Sequence, residues 1–498
     1  MPHYAHQSKM LAGLARTCKA FQDPALNILW YTQVAILPLF KCLPPNAWAM
    51  NEGKFSIIRN LTASDFNRIY FYCHRIRIFG QDALRPTSRY LEAQVLPIIW
   101  SRKPSPGPLL SNVSKVGLVD DSFDGLAIYP RLVIGPNVME IRVRVSSNEF
   151  LWANATVVLR KASLLNLSIF DLLVTEKSSC PKEAELLELL PTLRGVRKLS
   201  FGDPAFLTSR AISILGAFPM LQDLQLSVTE QEAENCIPYV ANNFPAITHL
   251  ELSSKTMNAC RLMLLQLQSG TLRSLSLTQT RSNAHWSMRR LLTILHECNL
   301  VRLESLYVRD YPGISSDLGF GAPTLEEFFS MDPYAFECLS SFKQLRDLHL
   351  ESCFVDLDNN DLMGLAKSLP QLRSLLFLEA ISHDPDSVPK CTFTGMQHLI
   401  ELCPKLERLT LPVDARQIPI LATQPDGEYP SGLHLTTLHL YNAPILNADD
   451  VASYLTMLFP ILADFSTIYY HEGDAEEDLD PYRMIWLKVE ELMDRLSA

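Results

Sequence analysis

The sequence predicts an α/β solenoid, a horseshoe with a parallel sheet inside and helices outside, and three observations predict it. First, the motif apolar-x-x-apolar-x-apolar occurs twelve times between Val113 and Leu440. Second, its copies begin mostly 25 to 34 residues apart, with one interval of 42. A period of that size marks stacked supersecondary units, none of which buries its apolar face alone. Third, Pro219, Pro245, Pro370, Pro404 and Pro460 each stand two residues before a first apolar position. Proline lacks the amide that continues a helix and pushes its predecessor toward extended geometry, so it separates a returning helix from the next strand.

Each element of the repeat follows from its pattern. The second and third apolar residues are two positions apart, so alternation along a strand sends both to the same inner side. Val113/Val116/Leu118, Val138/Ile141/Val143, Leu164/Leu167/Ile169 and Val196/Leu199/Phe201 open the series, and Leu435/Leu438/Leu440 ends it. A weaker unit at Leu462/Phe465 closes the stack. Helical spacing of apolar residues in Leu207–Phe218 and Leu446–Phe459 supplies the return. The amphipathic segment Pro481–Leu496 is suited to cap the last core. Over roughly Leu110 to Pro460 the pattern resembles leucine-rich repeats of the intracellular, helix-containing kind. That family's Asn or Cys three residues past the last strand leucine is Cys353 in one copy, but Thr229, Lys255 and Asp414 in others.

Composition bounds the rest. With 498 residues and 47% hydrophobic content there is ample core material. No apolar run reaches the roughly 18–20 residues a membrane helix needs, and MPHYAHQSK is no signal peptide. Eleven cysteines, an odd number with no C-x-x-C pair, read as reduced, buried small hydrophobes. Cytosol or nucleus is the expected compartment, which makes the sequons at Asn60, Asn112, Asn154 and Asn166 incidental. Residues 1–110 hold 13 Lys/Arg against 5 Asp/Glu, and the remainder 31 against 49. Scattered arginines fit solvated faces and the acidic repeats repel phosphate, so neither nucleic acid nor membrane is an expected partner. The acidic run Glu472–Asp480 reads as a solvated loop. The expected layout is a small α-helical module at 1–50, linking helices and an atypical repeat at 51–110, the solenoid at 111–470, and an acidic loop with a capping helix at 471–498.

Residues Met10 to Trp30 read as a helix with Leu11, Leu14 and Cys18 on one face, a break near Asp23-Pro24, then a short helix with Leu26, Leu29 and Trp30. The string closely resembles the second half of an F-box: leucines, then Thr17-Cys18-Lys19 and Phe21, then Asp23, Pro24, Leu26 and Trp30. Thr32–Pro44 and Ile57–Phe79 also resemble fungal F-box/leucine-rich-repeat proteins. The family's Leu-Pro-x-E/D opening and first helix are missing ahead of this point. By this resemblance Leu11, Leu14, Cys18, Phe21, Leu26 and Trp30 pack the module or face a Skp-type adaptor. Through it they would join a cullin–RING ubiquitin ligase, with the repeats choosing an unidentified protein substrate. An adaptor-independent repeat scaffold with a degenerate F-box is the alternative.

Motifs for chemistry are absent. No G-x-x-x-x-G-K-[ST], G-x-S-x-G or H-E-x-x-H string occurs, so neither a phosphate cradle nor a hydrolase or zinc-peptidase signature is visible. His3 and His6 share a helix face without further nearby ligands, and Cys391, His398 and Cys403 fit no standard zinc spacing. No catalytic residue, metal or cofactor is expected. The expected binding surface is the concave face, where residues between and after the strand leucines point outward. It offers Glu140, Arg142 and Arg144, then Asn166, Ser168 and Phe170, then small polar groups. Toward the carboxyl end it carries Tyr307, Arg309, Asp347, His349, Glu351, Arg408, His439 and Tyr441, including the Tyr and Arg that dominate binding hot spots. Asp310–Pro323 and Gln424–Gly432 have the Gly/Pro/Ser chemistry of loops extended from the stack.

Overall fold

The structure is a computed structural model. It describes residues 2–80, 90–120, 129–145, 158, 165–174, 187–188, 190–202, 208–236, 244–267, 270–282, 288–298, 300, 302–312, 329–331, 337–351, 353–355, 357–378, 388–419, 432–440, 443–467 and 482–496. The chain divides into two compact units, Met1–Ser227 and Val228–Ala498.

The first unit opens with helices Pro2–Leu14 and Lys19–Tyr31. The expected break at Asp23-Pro24 therefore falls earlier, at residues 15–18. There the Thr17 hydroxyl donates to Leu14 O at 2.7 Å, and Cys18 at φ −154°, ψ 163° starts the second helix. Pro24 lies inside that helix, where its missing amide forgoes the bond to the carbonyl four residues back. Strand β1 (Thr32–Gln33) follows, then a hairpin of β2 (Trp48–Asn51) and β3 (Lys54–Ile57). Its two-residue turn puts Glu52 at φ 48° and Gly53 at φ 78°, the two positive values that match the twist of paired strands.

Strands β4 (Ile78–Phe79), β5 (Lys115–Asp120), β6 (Glu140–Val145), β7 (Ile169–Val174), β8 (Lys198–Gly202) and β9 (Asp223–Ser227) continue the unit. With β1 they form a parallel ladder in the order β1-β4-β5-β6-β7-β8-β9. The ladder thus starts two strands before the first motif copy, and Phe79 pairs with Val116. Gly80 ends β4 at φ 70°, where a Cβ would lie 2.1 Å from the Gly117 carbonyl oxygen. Only glycine permits that approach.

The third repeat is corrected by the ladder. Phe170 pairs with both Ile141 and Leu199 and is fully buried, so the frame is Leu167/Phe170/Leu172. Leu164 lies outside the described residues. Two overlapping frames satisfy the motif here, and only the later one aligns core with core on both neighbours. Phe170 is therefore inward rather than on the binding face, and Ile169 and Asp171 take the outward positions. The starts at Val138, Leu167 and Val196 become evenly 29 residues apart.

The second unit holds β10 (His249–Ser254), β11 (Ser274–Ser282), β12 (Ser305–Pro312), β13 (Phe329–Met331), β14 (Asp347–Glu351), β15 (Cys353–Val355), β16 (Ser374–Leu378), β17 (Arg408–Thr410), β18 (Thr437–His439) and β19 (Asp464–Ser466). The main ladder is parallel throughout, in the order β10-β11-β12-β14-β16-β17-β18-β19. β13 and β15 form a separate parallel pair. Because β12 runs on to Pro312, Asp310 belongs to a strand rather than to the expected loop. Tyr311 and Pro312 belong to that strand too, while residues 313–323, most of Gln424–Gly432 and the acidic run Glu472–Asp480 lie outside the described residues.

One unbroken row of the ladder is apolar: Leu250, Leu275, Leu306, Leu348, Leu375, Leu409, Leu438 and Phe465. Leu275, Leu306, Leu348, Leu375, Leu409 and Leu438 are all 0% exposed. Returning helices bury Leu362 and Leu365, Met396 and Leu399, and Val451 and Leu455. Their starts are capped by Asp358, Thr392 and Asn447, and that of the helix Met257–Gln266 by Thr256, with side chains that accept from backbone amides in the first turn. Thr229 caps the helix Glu230–Asn235 in the same way, which gives one replaced Asn/Cys position a use. Pro370, Pro404 and Pro460 each follow a helix C-cap, at Leu369, Cys403 and Phe459. Each unit is built from parallel strands and returning segments at the repeat period, so the fold is an α/β leucine-rich-repeat solenoid. The helix Arg483–Leu496 buries Trp486, whose Nε1 donates to Ala443 O at 2.7 Å.

Candidate partner-binding surfaces

In the second unit, alternation places two outward rows on either side of the apolar row. One reads Ser305, Asp347, Ser374, Arg408, Thr437 and Asp464, and the other Tyr307, His349, Leu376, Thr410, His439 and Ser466. Arg309, Glu351 and Leu378 lie one step further along their strands. The register thus brings Tyr307, Arg309, Asp347, His349, Glu351, Arg408 and His439 to one face. Tyr441 lies outside the described residues.

These side chains form a connected network. Arg309 grips Glu351 with two donors, Nη2 to Oε1 at 2.8 Å and Nε to Oε2, and the Tyr307 hydroxyl donates to the same Oε1 at 2.5 Å. Such a fork fixes both planes and satisfies the carboxylate. The Arg309 guanidinium also lies 5.3 Å from the Tyr307 ring centroid. Tyr307 and His349 meet edge to face at 5.8 Å, and His349 Nε2 lies 2.8 Å from Ser374 Oγ, on a residue with no exposure. Burial and then the nearby Arg408 charge push the His349 pKa below its usual value, against the opposing pull of Asp347 and Glu351. The neutral ring is therefore the favoured form near neutrality. Arg408 approaches Asp347 at 3.6 Å, and His439 approaches Asp464 at 3.4 Å.

The sequence reading missed Leu376 and Leu378. Ser374–Leu378 is apolar at four successive positions after its serine, so alternation sends two leucines outward beside His349 and Glu351, where both stay half-buried. An apolar residue at an outward position was the available signal.

In the first unit, Glu140 is buried at 4% exposure, with Lys115 Nζ at 3.0 Å and Arg142 Nη2 at 2.8 Å. Arg144 is exposed one step on. At the amino terminus the six residues named by resemblance divide. Leu26 is buried and Trp30 is half-buried, stacked on Tyr72 at 4.6 Å. Leu11 is half-buried and Cys18 exposed, whereas Leu14 and Phe21 remain 40% and 50% exposed, with Met10, one helical turn before Leu14, and Ile28, two turns after Phe21, at 63% each. The second helix is pinned by Arg75, which donates to Asp23 Oδ1 at 2.6 Å and to Asn27 Oδ1 and sits over the Phe71 ring.

The cysteines considered for zinc have other uses. Cys391 Sγ donates to Leu357 O at 3.1 Å and Cys403 Sγ to Leu369 O at 3.5 Å. Burial pushes the Cys403 thiol up to about 12, which disfavours the thiolate a metal requires. No group of three or more His, Cys, Asp or Glu suited to a metal occurs among the described residues. Among them, too, no helix is long and apolar enough to cross a membrane.

No family model matches the chain, and no curated protein does. Among solved structures, the chain is similar to an internalin from Listeria monocytogenes at 14% identity and TM-score 0.35, covering 72% of this chain and 87% of that one. It is also similar to the yeast Rad7 and Elc1 complex at 13% identity and TM-score 0.35, covering 68% of this chain and 82% of that one.

Proposed function

We propose that the chain is the target-recognition subunit of an SCF-type cullin–RING ubiquitin ligase. In this reading the amino-terminal helix pair docks on a Skp-type adaptor and the repeat face binds the protein to be modified. The chain supplies no chemistry of its own. It holds a target lysine near a conjugating enzyme that the ligase recruits, which turns an encounter between two molecules into a step within one assembly. The observation that carries the reading is the exposure of Leu14 and Phe21, in the segment that resembles an F-box. Apolar side chains left uncovered on helices anchored from behind are the form a partner site takes.

A second reading, an adaptor-independent repeat scaffold, is favoured by Leu26 and Trp30, which are spent inside the chain rather than offered outward. Association with a Skp-type adaptor separates the two. The chain should co-purify with the adaptor, and changing Leu14 and Phe21 together to Asp should abolish this by placing charge in a dry interface. No association at micromolar adaptor, with the repeats folded, leaves the scaffold.

A further inference from the structure

We propose that the face of the second unit between β12 and β19 takes an extended, basic peptide segment, one that seats an aliphatic side chain on Leu376 and Leu378 between flanking Lys or Arg residues. This rests on the reading of the repeats as a protein-binding face and names the chemistry of what they bind.

The apolar part of the site is a strip. Tyr307, His349 and Leu376 are register neighbours on three consecutive strands, and Leu378 adjoins Leu376 one step along. Three strands span about 10 Å, room for one or two side chains of an extended chain. Around the strip, three of the cations are engaged, while Arg408 keeps 50% exposure. Arg309 is held by Glu351, and Arg273 and Arg346 both pair with Glu304, at 2.9 and 3.2 Å. The rim acids keep more capacity. Asp347 is 34% exposed and meets Arg408 only at 3.6 Å, while Asp464 is 63% exposed opposite a histidine. Glu407 is exposed beside Arg373 at the start of β17.

The field of the unit agrees with the rim. Residues 228–498 carry 19 Lys/Arg and 37 Asp/Glu, whereas residues 1–227 carry 25 and 17. A net negative body of that size attracts a cationic segment and repels an acidic one or a polynucleotide before contact. The leucines then supply the short-range anchor, and the charges select what reaches it.

The test uses the full chain and two labelled peptides, acetyl-Lys-Lys-Leu-Val-Leu-Lys-Lys-amide and its counterpart with Glu in place of every Lys, read by fluorescence anisotropy. The lysine peptide should bind at least about tenfold more tightly than the glutamate peptide. Leu376→Ser with Leu378→Ser should lower its affinity by about tenfold or more at a temperature where the variant still unfolds in one cooperative transition well above it. Asp347→Asn with Asp464→Asn should weaken binding and flatten its dependence on salt. Equal binding of both peptides, a preference for the glutamate peptide, binding that ignores the serine pair, or no binding by either overturns the proposal. The outcome is independent of adaptor association at the amino terminus, so failure here and failure of the ligase reading are distinguishable.

Discussion

The strand ladder and the amino-terminal helix pair treat apolar residues in opposite ways. In the ladder each repeat has a neighbour on both sides, and the central leucines Leu275, Leu306, Leu348, Leu375, Leu409 and Leu438 lose all exposure. In the helix pair the neighbours cover one side only. Leu26 is buried, while Leu14 and Phe21 keep 40% and 50% of their surface. The difference separates two jobs within one chain. Burial of the first kind holds the fold together, and exposure of the second kind is the surface that the proposed adaptor docking would use.

Substitutions can break that division, and the largest effects belong to the ladder. Phe170→Ala should cost about 3–5 kcal/mol, because adjoining strands cannot collapse into the hole. Ile169→Ala, which the superseded frame would have placed in the core, should cost far less. Denaturation midpoints in the reverse order would return the third repeat to its earlier register. Leu275→Ala should cost about 2–5 kcal/mol for the same reason.

Acidification comes next and acts on the first unit. Asp65 caps the turn at Thr62, accepting from its backbone amide at 2.8 Å, and is gripped by Arg59 at 2.8 and 2.9 Å. The hydrogen bonds from Arg59, then the Thr62 amide, hold its carboxyl well below the usual carboxylate range. A depressed folded pKa gives stability that is present above the unfolded value of about 3.9 and lost as pH falls below it. Asp65→Asn should therefore lower stability at neutral pH and flatten its decline between about pH 5 and 2. An unchanged acid profile would contradict the pairing. The smallest effect is Ser276→Ala, on the outward row between Glu251 and Tyr307, expected within about ±0.5 kcal/mol.

Much of the fold was legible because the repeat writes the same physics many times. A single copy is ambiguous, as Leu164/Leu167/Ile169 shows, and only strand pairing resolves which of two overlapping frames is core. The strands β1 and β4 escaped notice because two residues carry no period. The hairpin at 48–57 escaped because Glu52 occupies a turn position where Asn or Asp is the usual signal. Of the expected binding face, the charged and aromatic positions from Tyr307 to His439 could be placed from alternation alone, whereas Phe170 could not. Leu376 and Leu378 follow from the same alternation but were passed over, since within a leucine-rich strand an outward leucine reads as one more core residue.

The central claim is that the apolar edge around Leu14 and Phe21 is a docking surface, and Cys18, exposed between them in sequence, reports on it directly. Its alkylation by iodoacetamide, followed by mass spectrometry, should be fast in the free chain, whereas Cys260, fully buried with its thiol pushed up to about 12, should resist. Saturating Skp-type adaptor should slow Cys18 labelling by about tenfold or more and leave the half-buried Cys42 unchanged. Labelling of Cys18 at the same rate with and without adaptor would contradict the claim.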